Sequence, residues 1–189
     1  MKRSYVGIDL AATPKKYTFL SHIETSSADL VLKINIFRLR EDDELVDKSI
    51  NISPRIIVID APLSLDNVDD KGFRPLDRCA LKLGARLLPL KTSGMKLLAM
   101  RGAMLARQLA GRGFLVLETH PFSVARLLGY KSTVELTRGL MGKDLSKGEA
   151  DSVVAGLMGF LFDQGSSLIC EGDPLFVLPS KEAFLNVLR

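Results

Sequence analysis

Tryptophan is absent from this sequence and aromatic residues make up only 6% of it. Little ring surface is therefore offered for stacking on bases, which disfavours single-strand recognition driven by stacking. No apolar run approaches the roughly 18 residues of a membrane span, and Met-Lys-Arg-Ser-Tyr leads straight into a short strand with no signal-peptide core. The expectation is a cytoplasmic protein without a membrane partner. Cysteine is equally scarce: Cys79 and Cys170 lie far apart and lack metal-ligand spacing, which speaks against zinc and for two reduced, buried thiols. Repeats, low-complexity stretches and linkers are missing too.

What is present fits one domain spanning residues 1–189, with 47% apolar and 25% charged residues. The net charge of +4 hides an asymmetry. Between Lys71 and Leu117 stand ten basic residues and one acid, Asp77, so this segment carries +9 and the remainder −5. Such a distribution suggests a basic face for a polyanion with carboxylates gathered elsewhere. A solvated helical surface is the plainer reading, although such surfaces usually mix both signs.

Residues 4–10 read as a first strand and Tyr17 to Ile23 as a second, with Pro14 in the turn between them. Leu30 to Arg40 alternates, its even set Leu30, Leu32, Ile34, Ile36 and Arg38 being the more apolar. Short turns make these three strands an antiparallel meander. Glu41 to Ser53 is acidic, a loop or a short exposed helix. Ile56-Ile57-Val58-Ile59 marks a strand buried on both faces, as in the parallel centre of a helix-covered sheet. Pro75 opens a helix with Leu76, Cys79, Ala80 and Leu83 on one face, Thr92 or Ser93 caps a longer one, and Phe114 to Glu118 is a further strand. Phe122 to Leu128 reads as helix. Ser146 and Glu149 have capping-box spacing and start a helix through Phe162 that is apolar on nearly every side. Leu175 to Leu178 reads as a short strand, and Ser180 caps a last small helix.

Three apolar strands end in an acid: Asp9, Asp60 and Glu118. Asp151 enters the buried helix, where a lone carboxylate is costly unless paired or metal-bound. Each strand-end acid, taken alone, is also an ordinary turn residue, and His120 is either a general base or a turn histidine beside Pro121. Asp66, Asp69 and Asp70 sit in a loop whose spacing does not fit a calcium site. Four acids at one sheet edge would repel one another, and the usual relief is a hard divalent cation, Mg²⁺ or Mn²⁺, shared with substrate phosphate oxygens. Paired ions about 3.5 to 4 Å apart would activate water and stabilise the leaving oxygen.

Gly7-Ile8-Asp9, Ile59-Asp60-Ala61-Pro62-Leu63, Arg74 with Asp77-Arg78-Cys79, Glu118-Thr119-His120-Pro121, Glu149-Ala150-Asp151 and Asp173-Pro174 through Pro179 resemble the predicted nucleases of domain of unknown function 429. The resemblance spans nearly the whole chain. It implies an α/β, ribonuclease H-like fold: a mixed five-stranded sheet, order 3-2-1-4-5, the first three strands antiparallel, with helices on both faces. It matches Asp9, Asp60 and Asp151 to the family's acidic set and Glu118 to a fourth member, with Glu149 competing with Asp151 as the helix ligand. The expected activity is metal-dependent nuclease action on DNA or RNA, with Asp9, Asp60, Glu118 and Asp151 catalytic, Asp9, Asp60 and Asp151 on the metal, and Arg74, Arg78, Lys82 and Lys91 on the backbone.

Two other readings compete. Gly-Ile-Asp-Leu-Ala-Ala-Thr also resembles the phosphate hairpin of actin-like ATPases and sugar kinases, but Ala11 and Ala12 stand where a glycine would let backbone approach phosphate. A catalytically silent nucleic-acid-binding module would use the basic segment alone. The oligomeric state stays open, a dimer included.

Overall fold

The computed structural model describes residues 3–26 and 33–182. Its centre is one seven-stranded mixed sheet. β1 (Arg3–Asp9), β2 (Thr18–Thr25) and β3 (Lys33–Leu39) form the antiparallel meander expected from their short turns. β4 (Ile56–Asp60) and β5 (Leu115–Thr119) continue it in parallel beyond β1. The expected five strands become seven, because β7 (Phe176–Pro179) adds in parallel to β5 and β6 (Ser167–Cys170) closes the edge antiparallel to β7, giving the order β3-β2-β1-β4-β5-β7-β6. β6 has no alternating apolar pattern and two exposed central residues, so only its pairing with β7 marks it as a strand.

Helices cover both faces, as strand alternation requires. Val6, Ile8, Ile57, Ile59 and Val116 point to a core closed by α1 (Asp42–Ile52) and α3 (Ser93–Ala110). Glu41 to Ser53, read as a loop or exposed helix, is thus a helix with a capping box from Glu41 and Glu44 and with Leu45 and Val46 buried. Tyr5, Ile23, Ile56, Val58 and Leu117 point the other way, under α2 (Pro75–Lys82), α4 (Pro121–Leu127), α5 (Thr133–Met141) and α6 (Lys147–Asp163). α5 is a short helix with Leu136 as its one large buried apolar residue, so no apolar periodicity marks it in the sequence. The residues Leu30 to Leu32 and the helix expected after Ser180 lie outside the described residues or at their limit.

α6 is apolar all round because it is an inner layer, lying on β1, β2 and β4 with α4 and α5 above it. It meets β1 backbone to backbone. A Cβ added at Gly7 would lie 2.1 Å from both Gly156 N and Ser152 O, and Ser21 Oγ donates to Ser152 O at 2.8 Å. At the far end of the helix, Asp163 accepts from Arg55, Arg3 and Tyr5 Oη.

Cys79 and Cys170, expected to be reduced, form a disulfide with a Cα–Cα distance of 5.7 Å, tying α2 to β6. The unforeseen sheet edge is what brings them together. The bond removes the cysteine argument for a reducing compartment. No helix among the described residues is long and apolar enough to cross a membrane.

Two stability tests follow from these contacts. Gly7→Ala has only backbone to push against, so denaturant unfolding will show a loss of about 2 kcal/mol or more. Reducing a bond that closes a 91-residue separation will lower stability by about 4 kcal/mol, read as a shift in the urea midpoint with and without reductant.

Candidate metal centre

Asp9 and Asp60 are direct partners in the parallel β1–β4 ladder, the last residues of their strands and on the α6 face of the sheet. Asp151 stands one helical turn into α6, which the Gly7–Gly156 contact presses over the same strand ends. Each of the three offers a carboxylate oxygen, and these atoms lie within 4.8 Å of one another, the one such acidic group found among the described residues. The strands therefore deliver two acids and the helix the third.

Burial, followed by the charge of Asp151, pushes the Asp9 carboxyl up to about 7, while Lys147 opposes the rise. Asp60 is raised well above the ordinary carboxylate range by burial and then by Asp9 and Asp151. Asp151 is held differently. Thr133 Oγ1 donates to its Oδ1 at 2.6 Å, and Lys147 Nζ stands 3.3 Å from its Oδ2. The Lys147 side chain is 83% exposed, so it is a mobile counter-charge rather than a buried lock.

Glu118 does not join the triad. In the β4–β5 register Asp60 pairs with Thr119 and Glu118 with Ile59, so strand alternation turns Glu118 to the opposite face. There it binds Arg74 in a fork, Nη2 to Oε1 at 2.5 Å and Nη1 to Oε2 at 3.0 Å, and accepts the Leu63 N–H at 2.8 Å. Arg74 also binds both oxygens of Asp77, by Nε at 3.0 Å and Nη2 at 2.7 Å, and is only 1% exposed. An arginine so engaged locks the strand end, although Arg74, Asp77 and Glu118 also line the cavity beside the acids. Glu149, the rival helix acid, caps α6 instead by accepting the Ser146 N–H at 2.8 Å.

The other expected backbone contacts are also partly committed. Arg78 pairs with Asp69 at 2.5 Å and lies over the Phe73 ring, and Lys91 donates to the Asp70 carbonyl. Lys82 is exposed with no ion-pair partner among the described residues. Arg101, counted in the same basic segment, is buried and holds Asp42 and the carbonyls of Ala11 and Arg40. Arg74 and Arg101 are thus held inside the fold, while the other basic residues of the segment are not buried.

A cavity of about 170 Å³ opens beside the acids. Asp9, Asp60 and His120 line it together with an apolar wall that includes Leu88, Leu90, Met95 and Leu98. His120 is the N-cap residue of α4, and its Nδ1 lies 2.7 Å from Ser123 Oγ. Ser123 Oγ also accepts the Arg86 N–H at 2.8 Å, so this hydroxyl ties the ring of His120 to the loop between α2 and α3. Burial lowers the His120 pKa, which favours the neutral ring.

Sequence reasoning passed over Thr133, Lys147 and Gly148. The i,i+4 spacing of Lys147 and Asp151 is a readable signal, whereas Thr133 comes from a helix with no forecast. Gly148 is a steric requirement: an added Cβ would lie 2.8 Å from Asp9 Oδ2 and 2.4 Å from the Phe19 ring.

The raised Asp9 fixes the sign of a pH effect. Between its ordinary value of 3.8 and about 7 the folded chain keeps a proton that the unfolded chain has released. The stability from this group is complete below the lower value and is lost as pH rises toward the upper one. In thermal melts without divalent ions, wild type will lose stability over this window, and Asp9→Asn will flatten the loss. Mn²⁺ competes with protons for the same oxygens, so it will raise the melting temperature more near about pH 8 than near about pH 5. Gly148→Ala will weaken the Mn²⁺ response at either pH, because the Asp9 carboxylate must move.

No family model matches this chain, and no curated protein matches it.

Proposed function

We propose that this protein is a divalent-metal-dependent nuclease with a ribonuclease H-like fold, of the kind that its motifs resemble. One observation carries the reading: Asp9, Asp60 and Asp151, from two adjacent strand ends and a facing helix, bring carboxylate oxygens within 4.8 Å of one another. Like charges so close are tolerable when protons or a cation lie between them. The donor set is all oxygen, partly to fully buried, beside an open cavity, which fits a hard cation such as Mg²⁺ or Mn²⁺. The antiparallel β1–β3 meander, extended in parallel by β4 and β5, supports the fold assignment.

Asp9, Asp60 and Asp151 would hold the ion, which when bound supplies a lowered water pKa and charge relief for phosphate oxygens. The chain does the rest. Thr133 fixes one oxygen of Asp151 and so restricts how its carboxylate can turn beside Asp9 and Asp60. Lys147, exposed beside the acids, is placed to neutralise a phosphate oxygen. His120, on the cavity wall with burial favouring its neutral ring, is placed to exchange a proton with a group in the cavity. The Arg74–Glu118 clamp ties β5 to the loop after β4 and to the start of α2 beside the site.

Cleavage of labelled single- and double-stranded DNA, RNA, hybrid and branched substrates with Mg²⁺ or Mn²⁺ tests the reading. Asp9→Asn will lower the rate by a factor on the order of 10² or more. Thr133→Val will cost roughly tenfold, together with a weaker Mn²⁺ affinity. Equal cleavage by wild type and Asp9→Asn removes the site. Nucleotide binding without cleavage favours the kinase-like reading, and metal-independent polymer binding alone favours a silent module.

A further inference from the structure

A second charged feature lies on the same edge as the triad, formed by residues outside the basic segment marked by the sequence although Arg101 of that segment holds the Arg40 carbonyl. In the sheet register Arg38 pairs with Phe19, Phe19 with Asp9 and Asp9 with Asp60. Directly paired residues share a face, so Arg38 stands on the face of the triad, two strands or about 10 Å from Asp9. Its guanidinium lies 3.5 Å from the Tyr17 ring centroid, and that of Arg40 lies 4.1 Å from the same centroid. Both arginines are exposed.

Two like charges gathered at one ring, with no carboxylate in ion-pair contact among the described residues, keep their N–H forks for an external anion. Three nearby acids have partners in the fold: Asp42 pairs with Arg101, Glu44 accepts the Arg40 and Glu41 N–H groups, and Glu149 caps α6. Glu44 also feels the charge of Arg40, and Glu149 that of Arg38, without ion-pair contact. Lys15 and Lys16, exposed in the turn that follows β1, add two ammonium groups to this edge without ion-pair partners among the described residues. Between Arg38 and Glu149 runs a groove of about 390 Å³ along the start of α6. The tip of α6, with Gly148 against Phe19 and Asp9, separates this groove from the triad cavity.

We propose that Arg38 and Arg40, braced on Tyr17 and joined by Lys15 and Lys16, are the docking track for the backbone of a single-stranded nucleic acid running over the tip of α6 to the triad. The proposal deepens the nuclease reading and rests on it for the direction of the strand. Guanidinium forks match phosphate oxygens. A path that bends over a protruding helix tip between two small clefts suits a flexible single strand better than a stiff duplex. Affinity comes from charge, in keeping with the scarcity of aromatic residues.

The test is fluorescence anisotropy of a labelled single-stranded oligonucleotide in EDTA, where no cleavage occurs. Arg38→Gln with Arg40→Gln will weaken binding roughly tenfold or more, and the slope of log affinity against log salt will fall by about 1.4, two contacts at about 0.7 each. Arg107→Gln with Arg112→Gln, an equal charge loss where α3 leads into the opposite edge, will leave both unchanged. Lys15→Gln with Lys16→Gln, in an exposed turn, will weaken binding in the same direction and covers the case of a misfolded arginine variant. An equal effect from the Arg107 and Arg112 pair, no effect from the Arg38 and Arg40 pair, equal dependence with a duplex, or tighter binding of phosphatidylserine vesicles than of oligonucleotide overturns the proposal. Cleavage by the wild type with Mn²⁺ separates the two claims: localised binding with no cleavage by the wild type sinks the nuclease reading alone, and metal-dependent cleavage with no arginine dependence sinks the track alone.

Discussion

The contact of α6 with β1 at Gly7 and Gly156 sets the rest of the structure. Without side chains at the crossing, helix and strand backbones meet, and no neighbouring element can adjust the spacing. That closeness puts Asp151 over Asp9 and Asp60. It also buries the whole middle of α6, which explains an apolar sequence that has no outward stripe.

The price of this placement is electrostatic. Three acids share a small volume with one exposed ammonium nearby, and the fold keeps two of them protonated more readily than usual. Burial and mutual repulsion act in the same direction there. A few residues away the same burial is handled differently, because Arg74 gives Glu118 and Asp77 a fully desolvated partner. The contrast between a satisfied cluster and an unsatisfied one on neighbouring strands is what marks the triad as a site.

The sequence carried the strands that end in acids, the capping box of Ser146 and Glu149, and the buried character of α6, because each is a local pattern. It could not carry register. Asp9, Asp60 and Glu118 look alike as strand-end acids, yet one step of alternation along β5 separates Glu118 from the other two. Long-range pairings were hidden for a similar reason: Cys79 meets Cys170 only because β6 and β7 extend the sheet. Position along the chain also hides which charges are paired: Arg74, Arg78 and Arg101 contribute to the +9 but face acids of the fold, whereas Arg38 and Arg40 stack on Tyr17 without ion-pair contact in a stretch with no basic excess.

The order of the chain adds a temporal meaning to the crossing at Gly7. Asp9 and Asp60 belong to strands that emerge early in synthesis, while the helix bearing Asp151 comes some ninety residues after Asp60. Until it arrives, β1 has one open face and the two early acids lack their third member. The triad therefore completes at the same moment as the core layer beneath it, so an unfinished chain carries an unfinished site.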